Sequence, residues 1–257
     1  MSMGRLHLRW GADARDGRRA ILPPMPSADA ARFLGQSPVF AVLPAREIAT
    51  LAAVAVEAPH RARDYIFMEG DPARWFCVVK SGHVKILRHS RTGKDVVLDL
   101  LGPGEVFGGV AVIEQRPYPA AAQATEATVV LKIPAEAMIA VSERHPSFIK
   151  EIALMIGRRL RAAHDSVKSL AVDPVEARLA AALLRLAERE GARGKQGVTL
   201  PYHLTRQSLA DMTGTTVETA IRIVSRWLKE GLVQDEGGRL VLVDPEALRE
   251  LALGEEH

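Results

Sequence analysis

The side chains best suited to chemistry lie near the end of the chain, within residues 205–231, which read TRQSLADMTGTTVETAIRIVSRWLKEG. Glu218 and Arg222 are spaced by about one helical turn. A carboxylate can accept a hydrogen bond from cytosine N4, and a guanidinium can donate to guanine O6 and N7; each good bidentate contact contributes about 1–3 kcal/mol of discrimination. Glu218 could instead support the first turn of a helix, or pair with Arg222. We favour base readout.

Two predicted helices and a tight turn would position this pair. Thr205 is expected to cap a short first helix, and Gly214 suits the turn because it lacks a Cβ atom. Thr215 or Thr216 then caps a second helix, whose N-terminal residues would face base edges in the major groove. The polar residues of that helix are Glu218, Thr219, Arg222 and Arg226. Its expected buried residues are Val217, Ala220, Ile221, Val224 and Leu228.

Flanking segments complete a small C-terminal domain. The stretch GLVQDEGGRLVLVDP predicts a two-stranded hairpin that turns at Gly237-Gly238, which is the wing of a winged helix. Upstream, Asp173-Pro174-Val175-Glu176 predicts a helix start with Asp173 as its cap. That helix is expected to end near Gly191, followed by a loop over GARGKQG and a short strand within VTLPYHLT.

The middle of the chain has the residue pattern of β-strands. Between about 61 and 135, four β-rich runs (WFCVVKSG, HVKILRH, DVVLDLLG and ATVVLKIP) alternate with glycines. Ser81-Gly82 and Thr92-Gly93-Lys94 mark tight turns. Short strands at this spacing predict a small antiparallel roll or barrel.

The N-terminal segments are predicted to form an arm and short helices. Residues 1–27 form a loose arm in this interpretation, and residues 28–58 form short helices, one of which begins at Ala45 after Pro44.

A long helix is predicted between these two regions. Its apolar residues follow a spacing of four and three over three heptads, which is typical of a helix that pairs with a second copy. The alternative is that this stripe packs on its own domain. We favour self-association through a seam made of Ile149, Ala153, Ile156, Leu160, Ala163, Val167 and Leu170.

Taken together, these segments resemble the Crp/Fnr transcription regulators over about residues 30–250. The most specific parts are EGDPARWFCVVKSGHVKI, LGPGEVFG and TVETAIR. The resemblance implies an α+β fold with four parts: a flexible arm (1–27), a sensor β-roll like a cyclic-nucleotide-binding jelly roll (28–142), a dimerisation helix (143–171) and a winged helix-turn-helix domain (172–257).

The resemblance also implies a homodimer that binds double-stranded DNA and contacts RNA polymerase. Residues 205–207 would hold phosphates, and Val217, Glu218 and Arg222 would face bases. The TVET opening is closer to the Fnr side of the family, which implies a TTG-bearing palindrome with half-sites about one helical turn apart. The expected DNA-binding set is Thr205, Arg206, Gln207, Thr216, Val217, Glu218, Thr219, Arg222 and Arg226.

The effector is the open question. In members that bind cyclic nucleotides, a Glu two residues after the Phe of FG holds the ribose, and an Arg-Ser pair holds the phosphate. Here Gly109 stands at the position of the Glu. The position of the Arg falls on Tyr118 or Pro119, and that of the Ser falls on Pro119 or Ala120. A buried phosphate without a cation loses several kcal/mol of hydration, so cyclic AMP is not expected. The corresponding pocket would be lined by Phe107, Gly108, Gly109, Val110, Tyr118, Pro119, Ala120 and Ala121.

Other cofactors are constrained by the cysteine count. The single cysteine, Cys77, cannot hold a four-cysteine iron–sulfur cluster, and it suits a reducing cytoplasm. Three alternatives stay open: haem held by a His or Cys ligand, a small apolar ligand, or no effector, in which case the roll only positions the dimer helix. No other metal site is predicted from the sequence.

Composition narrows the function class. The 257 residues carry a net charge of +3, with 47% apolar residues and no apolar run long enough to predict a signal peptide or a membrane span. No Gly-Lys phosphate loop or Ser/His/Asp arrangement predicts an enzyme. The remaining alternative is a sensor whose C-terminal domain binds protein. Arg206, Glu218 and Arg222 argue against it, because protein binding does not require base-reading residues at these spacings.

Overall fold

The computed structural model describes residues 27–89, 95–194, 196–201 and 204–253. Thr92-Gly93-Lys94 therefore lies outside the described residues, as does nearly all of the predicted N-terminal arm. The described helices are α1 (Ser27–Gln36), α2 (Ala45–Val54), α3 (Gly109–Glu114), α4 (Ala135–Arg144), α5 (Pro146–Val172), α6 (Val175–Glu190), α7 (Arg206–Thr213), α8 (Val217–Glu230) and α9 (Pro245–Leu253). The described strands are β1 (Val56–His60), β2 (Tyr65–Phe67), β3 (Trp75–Ser81), β4 (Val84–His89), β5 (Asp95–Leu101), β6 (Val106–Phe107), β7 (Ala121–Ala124), β8 (Thr128–Pro134), β9 (Ala192–Gly194), β10 (Gly197–Thr199), β11 (Val233–Glu236) and β12 (Arg239–Leu242).

Two antiparallel four-stranded sheets form the roll. Their strand orders are β1-β8-β3-β6 and β2-β7-β4-β5. Cys77 and Val79 of β3 pack between the sheets with Val84 and Ala122. The run WFCVV is apolar throughout because β3 is buried on both faces. The four predicted β-rich runs are observed as β3, β4, β5 and β8, and Gly82 makes the predicted turn with φ +73°.

Helices cover the outer face of the first sheet. Phe76 and Val78, which alternate with Cys77, point toward α1, α2, α4 and the start of α5. Phe40 meets Phe76 edge-on and also packs against Phe148 of α5, with both ring-centroid distances at 5.7 Å. The roll and the long helix are therefore joined by one aromatic core.

The remainder of α5 extends away from that core. Its 27 residues begin at Pro146 and end at Val172. Ile152 is buried against the roll, whereas all seven predicted seam residues are exposed in the single chain, with Leu160 at 53% and Val167 at 65%. No helix in the described part of the chain is long and apolar enough to cross a membrane.

The C-terminal domain packs around Trp227, which is fully buried. A sheet of order β11-β12-β10-β9 stands beside helices α6 to α9. The hairpin β11–β12 turns at Gly237-Gly238 with φ +63° and +85°, as predicted for the wing. Strand β10 was expected, whereas β9 lies where a loop was predicted.

The expected cap at Asp173 is wrong. Helix α6 begins after Pro174, and no side chain caps it. Asp173 is the C-cap of α5, and its N–H donates to the Ser169 carbonyl at 2.9 Å. The predicted end of α6 is confirmed, with Gly191 as the C-cap.

The roll and the C-terminal domain also touch each other. Leu100 of β5 belongs to the apolar cluster of the C-terminal domain. Arg189 of α6 reaches Asp99 at 3.2 Å and Glu105 at 2.6 Å, and Arg159 of α5 reaches Asp99 at 3.2 Å. Burial lowers the pKa of Arg189, but Glu105 and Asp99 outweigh burial and raise it overall, so this guanidinium stays charged.

Candidate nucleic-acid interface

Helices α7 and α8 are joined by the tight turn that the sequence predicts. Thr205 caps α7 by accepting a hydrogen bond from the Ser208 N–H at 3.0 Å. Gly214 ends α7 in the left-handed conformation with φ +60°. A Cβ atom there would stand 2.7 Å from Leu170 Cδ2, a flexible side-chain end that can move, so the turn requires glycine for its backbone angle.

Helix α8 begins at a similar cap. Of the two candidates, Thr216 is the cap, and it accepts from the Thr219 N–H at 3.3 Å. The buried side consists of Ala220, Ile223, Val224 and Trp227. The expectation that Ile221 is buried is wrong, since this side chain is 46% exposed. The buried face of α8 lies toward Trp227, a residue that was not predicted to be buried.

Glu218 and Arg222 lie on the exposed face of α8. The Glu218 carboxylate accepts from its own backbone N–H and from Thr216, and these hydrogen bonds lower its pKa. Within the described residues no ion pair joins Glu218 to Arg222. The guanidinium of Arg222 lines an open groove with Thr219 and the N-terminus of α6. An anionic acceptor and a cationic donor are thus presented one turn apart at the start of an exposed helix.

Arg226 is placed differently from the other predicted contacts. It pairs with Glu176 of α6, and this hydrogen bond raises its pKa. The same Glu176 accepts from Trp227 Nε1 at 2.7 Å. Arg226 therefore helps to fix α8 against α6, and DNA would have to compete with Glu176 for its guanidinium.

The start of α7 carries the residues expected to hold phosphates. Thr205 and Gln207 are exposed, and Gln207 donates to Asp211 at 2.7 Å. Arg206 is 27% exposed at its side chain and lies 4.0 Å from Asp235 in the wing. A pair this long in the presence of water is weak, which leaves Arg206 able to turn to a phosphate.

Two glycines of the expected effector pocket lie close to aromatic rings. A Cβ atom on Gly109 would stand 2.4 Å from the ring of Phe76, so the structure leaves no room for the ribose-binding Glu of cyclic-nucleotide sensors. Gly108, with φ +73°, is similarly crowded by the Tyr118 ring at 3.0 Å. Phe107, Ala120 and Ala121 are buried. Val110 and Pro119 are exposed.

Tyr118 occupies the place where a phosphate-binding Arg was considered. Its hydroxyl donates to the Trp75 carbonyl at 2.7 Å and accepts from the Trp75 N–H at 3.1 Å. Its ring stacks on Phe67 with centroids 3.6 Å apart. Burial raises the pKa of this hydroxyl, so it stays neutral. These residues supply no cation for a phosphate, and the arrangement does not fit a cyclic nucleotide.

Candidate haem ligands among the described residues include Cys77, His83 and His145. Cys77 is buried, and burial raises the pKa of its thiol to about 12, so the free thiol is protonated at neutral pH. His83 contacts Glu126, and His145 lies 3.4 Å from Glu47. No group of three or more metal-ligating side chains occurs among the described residues.

Two family models match the chain. A cyclic nucleotide-binding domain matches residues 58–145, and a Crp-like helix-turn-helix domain matches residues 177–251. The second match contains α7, α8 and the wing, which are the elements that present Glu218 and Arg222.

Several known proteins are similar to this chain over most of its length. The chain is 31% identical over 74% of its length to the cyclic AMP receptor protein of Thermus thermophilus, of which it covers 84%. It is 27% identical over 77% of its length to the transcriptional activator protein anr of Pseudomonas aeruginosa, of which it covers 80%. Among solved structures, FixK2 from Bradyrhizobium japonicum matches with a TM-score of 0.69 at 25% identity, over 77% of this chain and 97% of that one. With the exposed α8 and the wing, these similarities show that the chain belongs to the Crp/Fnr family of DNA-binding transcription regulators.

Proposed function

We propose that the protein is a homodimer that reads a palindromic, TTG-containing DNA site without cyclic AMP and without an iron–sulfur cluster. The observation that carries the proposal is the exposed pair at the start of α8. Glu218 and Arg222 lie one turn apart, and within the described residues neither is engaged in an ion pair with the other. They are therefore available to a cytosine amino group and to the acceptors of guanine.

Affinity and selectivity come from different residues in this proposal. Thr205, Arg206 and Gln207 lie at the start of α7, where helix-turn-helix proteins contact the DNA backbone. Phosphate contacts position the protein, whereas base contacts select the sequence. Val217, Thr216 and Thr219 flank the reading pair, and Arg226 joins the interface only by leaving Glu176.

The exposed seam of α5 supports the homodimer. Five of its seven residues are large apolar side chains, and each is at least 36% exposed in the single chain. Monomeric proteins rarely leave a contiguous apolar face of this kind uncovered. A second α5 packed at the heptad positions would cover it and would place two copies of α8 as required by a palindrome.

The closed roll supports control without cyclic AMP. Gly109 is pressed against Phe76, and Tyr118 takes the place of a phosphate ligand. Filled in this way, the roll positions α5 through Phe148 and Ile152. RNA polymerase is the further partner that membership of this family implies.

The test is a selection of randomised duplexes by the ligand-free protein, repeated with Glu218→Ala, Arg222→Ala and Arg206→Ala. We expect the selected sites to lose their preference at one base pair per half-site with each α8 variant. Arg206→Ala should weaken all sequences alike and lower the salt slope by about one. Lys229→Ala, at the exposed far end of the same helix, is the matched control and should leave the selected sequence unchanged.

The contradicting outcomes are specific. If Glu218→Ala lowers affinity uniformly for all duplexes, Glu218 only supports the helix. If the wild-type protein enriches no sequence, its C-terminal domain does not read DNA on its own, and a protein partner becomes the better assignment.

A further inference from the structure

Ile221 is an apolar side chain in an unexpected place. It is 46% exposed in the middle of α8, although the other large aliphatic residues near it, Ile223 and Val224, are buried. Val217, one turn earlier, is partly buried and packs against the core of the domain, whereas Ile221 is not among the residues that pack there. The fold of the domain therefore does not account for an isoleucine at this position.

The helix geometry aligns Ile221 with the reading pair. Residues four apart lie on one face, so Val217 and Ile221 form an apolar row, and Glu218 and Arg222 form a polar row beside it. Both rows start in the first turn of α8, which is the part of a recognition helix that reaches base edges. Ile221 is thus presented to the same surface as the charged pair.

We infer that Ile221 contacts the C5-methyl group of a thymine next to the base pair read by Glu218 and Arg222. In the major groove a thymine presents an acceptor and this methyl group, and the methyl group is the partner for an apolar side chain. A branched aliphatic side chain exposed to water in the free protein would become buried against it. This inference rests on the proposed DNA-reading function and names a further specificity-determining residue within it.

Replacement of single thymines by deoxyuridine tests the contact, because it removes one methyl group and leaves base pairing intact. A duplex selected by the wild-type protein is prepared with each thymine replaced in turn, and the affinities are measured by titration. Burial of one methyl group corresponds to roughly a fourfold change in affinity. We expect that loss at one thymine in each half-site.

Variants assign the loss to Ile221. Ile221→Ala should bind the thymine and deoxyuridine duplexes alike at that position, and Ile221→Val should keep most of the difference. Leu98→Ala, which truncates an aliphatic side chain that is 54% exposed on the roll, is the matched control and should keep the full difference. Circular dichroism of each variant verifies that the domain is folded.

Either of two results would overturn the inference while the DNA-reading function stands. One is selective binding that is indifferent to every thymine replacement. The other is an undiminished deoxyuridine penalty in Ile221→Ala, which would assign the methyl contact to another residue. Failure to select any sequence would overturn the proposed function and this inference together.

Discussion

Substitution of Gly109 tests whether the roll is closed to a cyclic nucleotide. The family's ribose-binding position is occupied here by a glycine whose missing Cβ atom would stand 2.4 Å from Phe76 Cε2 and 2.9 Å from its Cδ2. Phe76 is fully buried and meets Phe40 edge-on, so its ring has no open space into which to move. We predict that Gly109→Ala destabilises the sensor roll.

The magnitude follows from overpacking. Extra atoms in a packed core cost about 1–3 kcal/mol. The higher helix propensity of alanine offsets at most about 1 kcal/mol of this loss in stability. The net loss in the free energy of unfolding should be about 1–2 kcal/mol. Gly109→Glu should lose about 3 kcal/mol or more, because it adds a carboxylate without a cation to this packing.

Urea unfolding followed by circular dichroism measures these losses. Gly35→Ala is the matched control, because the nearest atom to its new Cβ atom is Ile48 Cδ1 at 3.9 Å, an ordinary contact. Its free energy of unfolding should be equal to that of the wild type or up to about 1 kcal/mol higher, because alanine has the higher helix propensity. The m-value should be unchanged in all variants, so that the midpoint reports stability. If Gly109→Ala is as stable as Gly35→Ala, or if Gly109→Glu gains cyclic AMP binding, the roll can open and our reasoning about the closed pocket fails.

Three further predictions concern the dimer, the domain contact and the reading helix. Leu160→Glu places a charge on the exposed seam, so analytical ultracentrifugation should detect monomers and a DNA titration should show weakened operator binding. An unchanged dimer would place the interface elsewhere. Arg189→Met removes the cation that joins Glu105 to Asp99 and leaves Asp99 of β5 with Arg159 alone, so hydrogen exchange in β5 should accelerate. The exposed Arg193→Met should not change it. Trp227→Phe removes the hydrogen bond to Glu176 and should lower the free energy of unfolding by about 1–3 kcal/mol. A loss near zero would show that this bond contributes nothing to holding α8.

Local signals made the C-terminal domain predictable. The caps at Thr205 and Thr216, the left-handed Gly214 and the wing turn at Gly237-Gly238 are determined by residues within a few positions of each other. The prediction of a cap at Asp173 followed the same kind of rule and was wrong, since α6 begins after Pro174 without a side-chain cap and Asp173 is the C-cap of α5.

Non-local packing explains what the sequence did not reveal. The exposure of Ile221 depends on where Trp227 enters the core, which a helical spacing alone does not determine. The collision at Gly109 depends on Phe76, which is distant in sequence. Strands β1, β2, β6 and β7 were not predicted, because they are short and gain their stability from neighbouring strands.

The most direct test of the account is a binding titration of the ligand-free protein at about 150 mM salt, comparing a selected palindromic duplex with a scrambled one. The account predicts affinity for the palindrome at least about a thousandfold higher, and no change when cyclic AMP is added. Equal affinity for both duplexes, or selectivity that appears only with cyclic AMP, would contradict it.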